Sequence, residues 1–383
     1  MNIGIEACTA VEPQRTGLGQ YSYHLIRALS RVNGRERHHY RCYFRHANPD
    51  PFYVLGWQDV APPHLRPCIL PFPFLWAQVR LPFEFRQHPQ DLYFFPSSVI
   101  PLLNQPSNSV VTVHDLAFLF FQDYFSPLLR SWLKLATERS VRKAQKVIAV
   151  SEATRQDILA YYQTDPEKVK VVHHGVAKAF QPQTAASIEA VKQRYAIDGD
   201  YLLCVGTLQQ RKNIPRLLHA FYLLKQKHQH SQKLVLVGRK LADLPETEIF
   251  STLKRLSLEQ EVIWTGYIDR AEMPAIMSGA ELFVFPSLYE GFGMPVLEAM
   301  ACGTPVACSN TSSLPEVIGD HGVVFDPYSV DDMTETLHYV LQKEDLRRKL
   351  SELGVLRAAR FSWDSCARKT LAVLESVGQG GIS

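Results

Sequence analysis

The fold is decided by one stretch, Phe285-Pro-Ser-Leu-Tyr-Glu-Gly-Phe-Gly-Met-Pro-Val-Leu-Glu-Ala-Met-Ala-Cys-Gly-Thr-Pro-Val306. The apolar run over 280–285 predicts a short buried strand, and the glycines on both sides of Phe292 allow a sharp turn close to a ligand. Pro295 suits the first position of a helix, where its missing N–H costs nothing, and Gly303 suits the helix end. The stretch therefore predicts a strand, a tight turn and a helix whose positive dipole end points at a ligand.

Two carboxylates frame the start of that helix. Glu290 lies on the predicted turn, and Glu298 falls in the predicted first helical turn. Carboxylate oxygens accept hydrogen bonds from sugar or ribose hydroxyls, and the N–H groups of a helix start suit a diphosphate. The alternative is a plain strand–turn–helix unit with solvated carboxylates. The long family match described in the next paragraph favours a ligand site over that alternative.

This stretch resembles the family-4 glycosyltransferases of the GT-B fold. Their signature is a pair of Glu residues separated by seven positions, here Glu290 and Glu298, and the flanks from Phe285 to Val306 match as well. The resemblance covers nearly the whole chain and is strongest over 201–326. It implies an α/β protein with two Rossmann-like, doubly wound parallel-sheet domains that face each other across a cleft.

The resemblance also implies the domain organisation. The N-terminal, acceptor-side domain is expected over 1–178, completed by a C-terminal helix over about 362–383. The nucleotide-sugar-binding domain is expected over 190–360. The polar segment 176–196 is interpreted as the linker, and Asp198-Gly199-Asp200 as a turn, because Asp-Gly is a common turn pair.

Composition excludes several classes of protein. The chain has 383 residues, 21% charged and 46% hydrophobic, which is typical of a globular protein with large cores. A net charge of +3 is too small to indicate a nucleic-acid partner, and no apolar run is long enough for a membrane span. The start of the chain lacks a secretion leader, and seven scattered cysteines without a C-x-x-C pair indicate reduced thiols. We therefore expect a cytoplasmic protein with neither a metal nor a cofactor.

The first half of the chain begins with a strand over 2–7 and a glycine loop over 16–20, followed by a helix over 21–31. A glycine loop between a strand and a helix can hold a phosphate or a sugar, although a structural turn would look the same. The resemblance favours a donor-binding role for Gly17 and Gly19.

A second strand, over 110–116, ends in His114-Asp115. The carboxyl end of a parallel strand is where open α/β sheets place ligand contacts. The resemblance implies that His114 acts at the reacting sugar and that Asp115 lies on the acceptor side. The neighbouring pair His173-His174 is interpreted as structural, because adjacent strand residues face opposite ways and cannot share a metal ion.

Two further stretches have alternative interpretations. The helix predicted over 126–146 is rich in arginine and lysine, and the stretch 76–85 is aromatic. Together they suit a weak contact with an anionic membrane, on the inner face of the cell membrane. The alternatives are an ordinary solvated helix and core packing under a loop.

The second half of the chain supplies the remaining donor-binding candidates. A strand over 201–205 is followed by Gly206, by two cations at the start of a helix over 215–227, and by glycine-rich ends of later strands. Two cations at a helix start suit a diphosphate. Many family members have an arginine where this chain has Thr207. The donor-binding set predicted from the resemblance is Gly206, Thr207, Arg211, Lys212, Gly238, Tyr267, Gly291, Phe292, Gly293, Met294, Pro295, Val296, Leu297 and Glu298.

The implied reaction is transfer of a sugar from a nucleotide sugar to a hydroxyl of a glycan or lipid-linked acceptor, with retained configuration and without a metal. The resemblance places Glu290 at the donor sugar, as a catalytic residue with His114, and Glu298 at the ribose. The runs at 114–116 and 206–213 look most like the mannosyltransferase branch and favour GDP-mannose. A UDP-sugar-dependent glucosyltransferase, a nucleotide-sugar epimerase and an inactive binding subunit are the alternatives.

Overall fold

A computed structural model describes residues 1–13, 15–32, 37–47, 50–57, 62–72, 74–101, 105–121, 124–239 and 247–378. The chain divides into two compact units. Unit 1 comprises Met1–Gly175 and Ser362–Ser383, and unit 2 comprises Val176–Phe361. The last five residues of the predicted C-terminal helix, 379–383, lie outside the described residues.

Each unit is built on one parallel sheet. The strands of unit 1 are ordered β3-β2-β1-β4-β5-β6-β7, and those of unit 2 are ordered β10-β9-β8-β11-β12-β13. The strands are β1 (Asn2–Glu6), β2 (His39–Phe44), β3 (Leu65–Ile69), β4 (Leu92–Phe95), β5 (Ser109–Val113), β6 (Lys146–Ala149), β7 (Val169–Val171), β8 (Tyr201–Val205), β9 (Lys233–Val237), β10 (Val262–Gly266), β11 (Leu282–Phe285), β12 (Val306–Ser309) and β13 (Val323–Phe325).

Helices connect these strands, and short 3-10 turns span Cys8–Val11, Pro166–Lys168 and Gln210–Lys212. In chain order the helices are α1 (Gly17–Val32), α2 (Pro51–Val54), α3 (Arg80–Gln87), α4 (Ala117–Phe120), α5 (Pro127–Lys143), α6 (Glu152–Tyr162), α7 (Ala185–Arg194), α8 (Ile214–His228), α9 (Thr247–Arg255), α10 (Met273–Ser278), α11 (Met294–Ala301), α12 (Leu314–Ile318), α13 (Val330–Leu341), α14 (Glu344–Ala358) and α15 (Trp363–Gly378).

The central strands are largely apolar because they are buried on both faces, as is usual in parallel sheets. Every residue of β5 and of β11 is buried. In each sheet the strand order reverses once, between β1 and β4 in unit 1 and between β8 and β11 in unit 2. Open α/β sheets bind ligands at the carboxyl ends of the strands that flank such a reversal. The prediction of two doubly wound parallel sheets is confirmed.

The predicted glycine loop is wrong. Gly17 is the first residue of α1, and Gly19 lies in its first turn. A Cβ atom at Gly19 would lie 2.8 Å from the carbonyl oxygen of Thr9. Gly19 therefore allows close packing of α1 against the 3-10 turn Cys8–Val11, where any side chain would force the two apart.

The predicted linker is also wrong, because it contains α7 and belongs to unit 2. Thr184 caps this helix by accepting a hydrogen bond from the N–H of Ser187 at 3.3 Å. Ile188 packs against Gly279, beside α10. The segment is polar because α7 buries one stripe of side chains and exposes the others to solvent. The basic helix is shorter than predicted, since α5 ends at Lys143 and Lys146 begins β6.

The helix α15 belongs to unit 1, where it packs on α1. Arg31 forms an ion pair with Asp364 at 2.7 Å, and the ring of His24 stacks on Trp363 with the ring centroids 5.1 Å apart. A Cβ atom at Gly175 would lie 2.2 Å from the backbone nitrogen of Trp363. Unit 1 is thus assembled from two segments of the chain that are separated by the whole of unit 2.

Candidate active site

The decisive stretch forms β11, a tight turn and α11, as predicted. The helix begins at Met294, so Pro295 is its second residue rather than its first. Gly293 caps the helix in the left-handed region, with φ of 97°, and a Cβ there would lie 2.7 Å from Leu314. Gly291 and Phe292 are buried, Met294 and Pro295 are half-buried, and Val296 and Leu297 are buried again. The backbone of the turn is therefore closely packed against neighbouring side chains.

A charged cluster lies at this turn. Glu290 is 9% exposed, and its Oε1 atom lies 2.5 Å from Nζ of Lys212 and 2.9 Å from Nη1 of Arg211. The Nη1 atom of Arg211 also donates to the carbonyl of Tyr289 at 3.1 Å. Arg211 and Lys212 were predicted to bind the diphosphate, and Glu290 was predicted to bind the donor sugar. In the structure, the two cations hold the carboxylate of Glu290.

The electrostatics of this cluster favour the ionised form of the Glu290 carboxyl group. Burial raises the pKa of the Glu290 carboxyl, but Lys212 and Arg211 outweigh burial and lower it to about 2. Burial lowers the pKa of Lys212, and Glu290 opposes that effect. With one anion and two cations, the cluster has a formal charge of +1. That surplus suits an anionic ligand.

The backbone of Glu290 is held as firmly as its side chain. Its N–H donates to Oγ of Ser312 at 3.1 Å, and the hydroxyl of Ser313 donates to its carbonyl at 2.9 Å. The hydroxyl of Ser312 also donates to that carbonyl. Ser312 itself has a positive φ of 58°. These bonds fix the direction in which the Glu290 side chain leaves the turn.

Glu298 is the fifth residue of α11, one residue further into the helix than predicted. It is 7% exposed, and its Oε1 atom lies 2.6 Å from Nη2 of Arg270. Burial raises the pKa of the Glu298 carboxyl, and Arg270 offsets this only in part. The guanidinium of Arg270 also lies 4.9 Å from the ring centroid of Phe180. The two signature carboxylates therefore have opposite pKa shifts.

The glycine-rich strand ends of unit 2 meet beside this cluster. The side chain of Lys212 runs past Gly206, where a Cβ would lie 3.1 Å from its Cε atom. A Cβ at Gly238 would lie 1.8 Å from the carbonyl oxygen of Gly206, so only glycine fits there. Thr207 is half-buried, and the exposed ring of Tyr267 lies 4.4 Å from the guanidinium of Arg239. The predicted set thus occupies the carboxyl ends of β8, β9, β10 and β11.

In unit 1, His114 directly follows β5 and is half-buried. Its Nε2 atom lies 2.7 Å from the carbonyl oxygen of Pro96, and its ring meets the edge of Tyr21 with the centroids 4.7 Å apart. Loss of contact with water lowers the pKa of His114, although Pro96 and Asp115 oppose this. A carbonyl only accepts, so Nε2 carries the hydrogen, and Nδ1 of the neutral ring is a hydrogen-bond acceptor.

The other predicted residues of unit 1 have local roles in the fold. Oδ1 of Asp115 accepts from the N–H of Ala117 at 3.0 Å, at the start of α4. Gly17 is exposed at the start of α1, and Gly19 is buried by its packing. His174 is buried against Tyr21, with the ring centroids 4.8 Å apart.

Comparison with known proteins identifies the family. Residues 15–180 match the family model described as Glycosyltransferase Family 4, and residues 187–355 match that of Glycosyl transferases group 1. The O-antigen chain mannosyltransferase B of Escherichia coli is 30% identical over 287 residues, which cover 75% of this chain and 74% of that protein. The chain belongs to the family-4 glycosyltransferases.

Two further comparisons agree with this glycosyltransferase family. A serotype-specific mannosyltransferase of Escherichia coli is 31% identical over 275 residues, which are 70% of this chain but only 33% of that protein. The solved structure of sucrose-phosphate synthase from Thermosynechococcus elongatus covers 100% of both chains, with a TM-score of 0.75 and 19% identity. The predicted GT-B fold and the predicted similarity to mannosyltransferase-type members are confirmed.

Sequence reasoning missed several residues that shape this glycosyltransferase site. Arg270 neutralises Glu298 from a loop 28 positions earlier in the chain, and Ser312 and Ser313 anchor Glu290 from the loop after β12. Asn213, in the left-handed region with φ of 58°, ends the 3-10 turn that carries Arg211 and Lys212. A polar residue between the cations and a proline-led helix is a signal that could have been read as this turn.

Within the described parts of this glycosyltransferase, no group of three or more His, Cys, Asp or Glu side chains is arranged to hold a metal ion. The helices in those parts also include none that is long and apolar enough to cross a membrane.

Proposed function

We propose that this glycosyltransferase transfers mannose from GDP-mannose to a hydroxyl of a glycan or glycolipid acceptor, with retained configuration and without a metal. The proposed setting is surface polysaccharide or lipopolysaccharide assembly in the cytoplasm, at the inner face of the membrane. The observation that carries the proposal is the buried cluster of Glu290 with Arg211 and Lys212 at the turn before α11.

The cluster suits the departure of a diphosphate. As the sugar–phosphate bond breaks, negative charge grows on the leaving diphosphate, and fixed cations stabilise that charge without reorganising. Lys212 has three N–H donors, of which Glu290 accepts one. The N–H of Met294 at the start of α11 adds a fixed dipole. These groups provide the neutralisation that a divalent cation provides in metal-dependent transferases, which supports the metal-independent form of the proposal.

The same cluster suits the transferred sugar. Lys212 and Arg211 keep Glu290 ionised, and an ionised carboxylate accepts strong hydrogen bonds from sugar hydroxyls. Glu298, buried beside Arg270, is proposed to hold the ribose hydroxyls. In unit 1, Nδ1 of His114 is proposed to accept a hydrogen bond from a hydroxyl of the reacting sugar, with Asp115 next to it on the acceptor side.

Mannose is favoured by the relatives. The two Escherichia coli relatives are both named mannosyltransferases, and the name of one refers to the O-antigen chain. The decisive experiment incubates the protein with GDP-mannose, UDP-glucose and UDP-N-acetylglucosamine, with and without a soluble mannoside acceptor, in buffer containing EDTA. Acceptor-dependent release of GDP with EDTA present supports the proposal. Turnover of UDP-glucose alone, or conversion of a nucleotide sugar without acceptor, would replace it by the glucosyltransferase or the epimerase.

The proposed membrane contact uses the outer face of unit 1. Exposed apolar side chains follow one another on the first half of α5, where Leu128 is 83% exposed, and on the segment before and within α3, where Phe74 is 77% exposed. The apolar members of this membrane-facing set are Phe74, Leu75, Val79, Phe83, Phe120, Leu128, Leu129, Trp132 and Leu135.

The exposed side chains of α3 and of α5 lie on the same face of the unit 1 sheet. Phe85 of α3 and Val141 of α5 lie in one hydrophobic core on one face of the unit 1 sheet. Their opposite sides therefore look outward in the same direction. Arg130 and Lys134 lie among the exposed apolar residues of α5. Apolar side chains interleaved with cations suit an anionic bilayer, where a lipid-linked acceptor would be found.

A further inference from the structure

Glu6 is the last residue of β1, the strand at which the sheet order of unit 1 reverses. Its carboxyl end is therefore the position where open α/β sheets bind ligands. Strand β1 pairs with β4, and β4 pairs with β5, so Glu6, Pro96 and His114 follow three adjacent strands at one edge. Ile5 is level with Phe94 and Phe94 with Val110, so His114 lies two strand spacings to the side of Glu6 and three residues further along. The separation is about 14 Å, which leaves room for one sugar ring between the two side chains.

The environment of Glu6 is unusual for a carboxyl group. The residue is 9% exposed, and its Oε1 atom accepts a hydrogen bond from the N–H of Cys8 at 3.0 Å. Burial raises the pKa of Glu6, and the hydrogen bonds from the backbone N–H and the thiol of Cys8 oppose this only in part. Among the residues that the structure describes, no arginine or lysine forms an ion pair with it. Glu290 and Glu298, in contrast, each have such a cation.

A purely structural role would be to hold the 3-10 turn Cys8–Val11 through the bond to Cys8. That role needs only the acceptance of hydrogen bonds from Cys8 and no charge, and the amide oxygen of glutamine would fill it. A buried carboxyl costs more than a buried amide unless the charge or the second oxygen is used. The turn therefore does not need the charge of the Glu6 carboxyl group.

We infer that Glu6 binds a hydroxyl of the acceptor sugar at the carboxyl end of β1, and so helps to select and position the acceptor. This inference rests on the proposed function for the nature of the acceptor. Glu6 acts as a positioning residue: it forms a hydrogen bond with the sugar, and no bond of the reaction is made or broken at its carboxyl group.

The test compares Glu6→Gln with Glu12→Gln, a nearby exposed carboxylate, in the full chain. Binding of methyl α-D-mannopyranoside and methyl α-D-glucopyranoside is measured by saturation-transfer NMR, without donor turnover. Binding of GDP-mannose and the thermal midpoint are measured on the same samples. The expected result is a loss of glycoside affinity of about tenfold in Glu6→Gln, the usual effect of one charged hydrogen bond. Glu12→Gln should bind both the glycoside and the nucleotide as the wild type does.

A Glu6→Gln variant that binds glycosides within about twofold of the wild type would overturn the inference. So would a wild type that binds neither glycoside, or an equal loss of glycoside and GDP-mannose affinity, which marks a general structural defect. Glu6→Asp, which keeps the charge, should recover part of the affinity. Failure of the proposed donor is seen separately, because a wild type that ignores GDP-mannose while binding glycosides through Glu6 contradicts only the donor.

Discussion

The strand order reverses once in each sheet, and the two reversal points differ in the charge of the side chains that lie there. At the β8/β11 reversal of unit 2, a buried carboxylate is held by two cations, and the cluster carries surplus positive charge. At the β1/β4 reversal of unit 1, the imidazole of His114 has a lowered pKa, and the carboxyl of Glu6 has no ion pair with any lysine or arginine that the structure describes. The first arrangement suits a charged diphosphate, and the second suits neutral hydroxyl groups. The proposed donor and acceptor sites thus differ in charge although both lie at strand reversals of the same kind of sheet.

The largest expected effect is on acid stability, and it tests the charged edge. The folded-state pKa of Glu290 is about 2, below its usual value, so its contribution is present above pH 4.5 and is lost as the pH falls toward 2. Between these limits the wild type should lose about 3 kcal/mol of unfolding free energy that Glu290→Gln does not lose. Urea unfolding at several pH values measures this.

Glu298→Gln is the matched control for that experiment. The pKa of Glu298 is raised, so its contribution is present at low pH and is lost as the pH rises through the folded-state value. The pH dependence of this variant, relative to the wild type, should therefore have the opposite sign. Equal pH dependence in the two variants would show that the two carboxylates are not distinguished by their cations.

Turnover should respond next most strongly. Glu290 is proposed to touch the sugar that is transferred, where interactions strengthen in the transition state, so Glu290→Gln should lower kcat by about a hundredfold. Steady-state kinetics with GDP-mannose and a mannoside acceptor measures this. A kcat within a few-fold of the wild type would limit the cluster to nucleotide binding.

Lys212→Ala should weaken binding of GDP by about 1.5–3 kcal/mol, the range for a hydrogen bond with a charged group. Calorimetry measures it. Lys225→Ala is the matched control, because Lys225 lies on α8 and pairs at 2.5 Å with Glu261, just before the amino end of β10 and opposite the carboxyl ends of the strands. An unchanged GDP affinity in Lys212→Ala would show that Lys212 does not bind the diphosphate. The proposed difference between the two strand reversals would then be wrong.

Glu298→Gln should raise the apparent donor constant about tenfold and leave kcat nearly unchanged, because the ribose does not change during the reaction. Arg270→Ala should act in the same direction, since Arg270 holds the Glu298 carboxyl at 2.6 Å. The measurement is a donor titration at saturating acceptor. A fall in kcat equal to that of Glu290→Gln would show that both carboxylates act on the transferred sugar.

The smallest effect concerns the membrane-facing set of unit 1. Arg130→Gln and Lys134→Gln should each weaken binding to anionic vesicles by about 1 kcal/mol, while Lys349→Gln, an exposed lysine of unit 2, should not. Sedimentation with phosphatidylserine-containing and with neutral vesicles, at two salt concentrations, measures this. Equal binding to both kinds of vesicle would favour an ordinary solvated helix and a soluble acceptor.

Sequence patterns predicted the sheets well because a parallel strand is recorded locally, as a short apolar run between turns. Strand β8 has the predicted bounds, and the turn and helix after β11 follow from glycine and proline at fixed places. Gly17 and Gly19 were placed in a loop because glycine is a poor helix former. Contact with the turn Cys8–Val11 overrode that preference, and such a contact is not visible in local sequence.

The site was predicted as a set of residues, but its pairing was not. Lys212 and Glu290 are 78 positions apart, and sequence alone gave no sign that the cations would hold the carboxylate as well as face a phosphate. Arg270 and Ser312 were missed for the same reason, since their roles come only from the folded arrangement. Glu6 was predicted simply as part of a strand, because only the strand order shows that this strand flanks the reversal.

The two-part construction of unit 1 has a consequence for how the protein is made. Residues Val176–Phe361 form one uninterrupted unit, and all of them are translated before α15 emerges from the ribosome. Until then, the contacts of Trp363 with the ring of His24 and with the backbone of Gly175 cannot form. Domains usually mature in the order of synthesis. Here the order is reversed: unit 2 can mature during translation, while the half of the molecule that begins the chain must wait for its last helix.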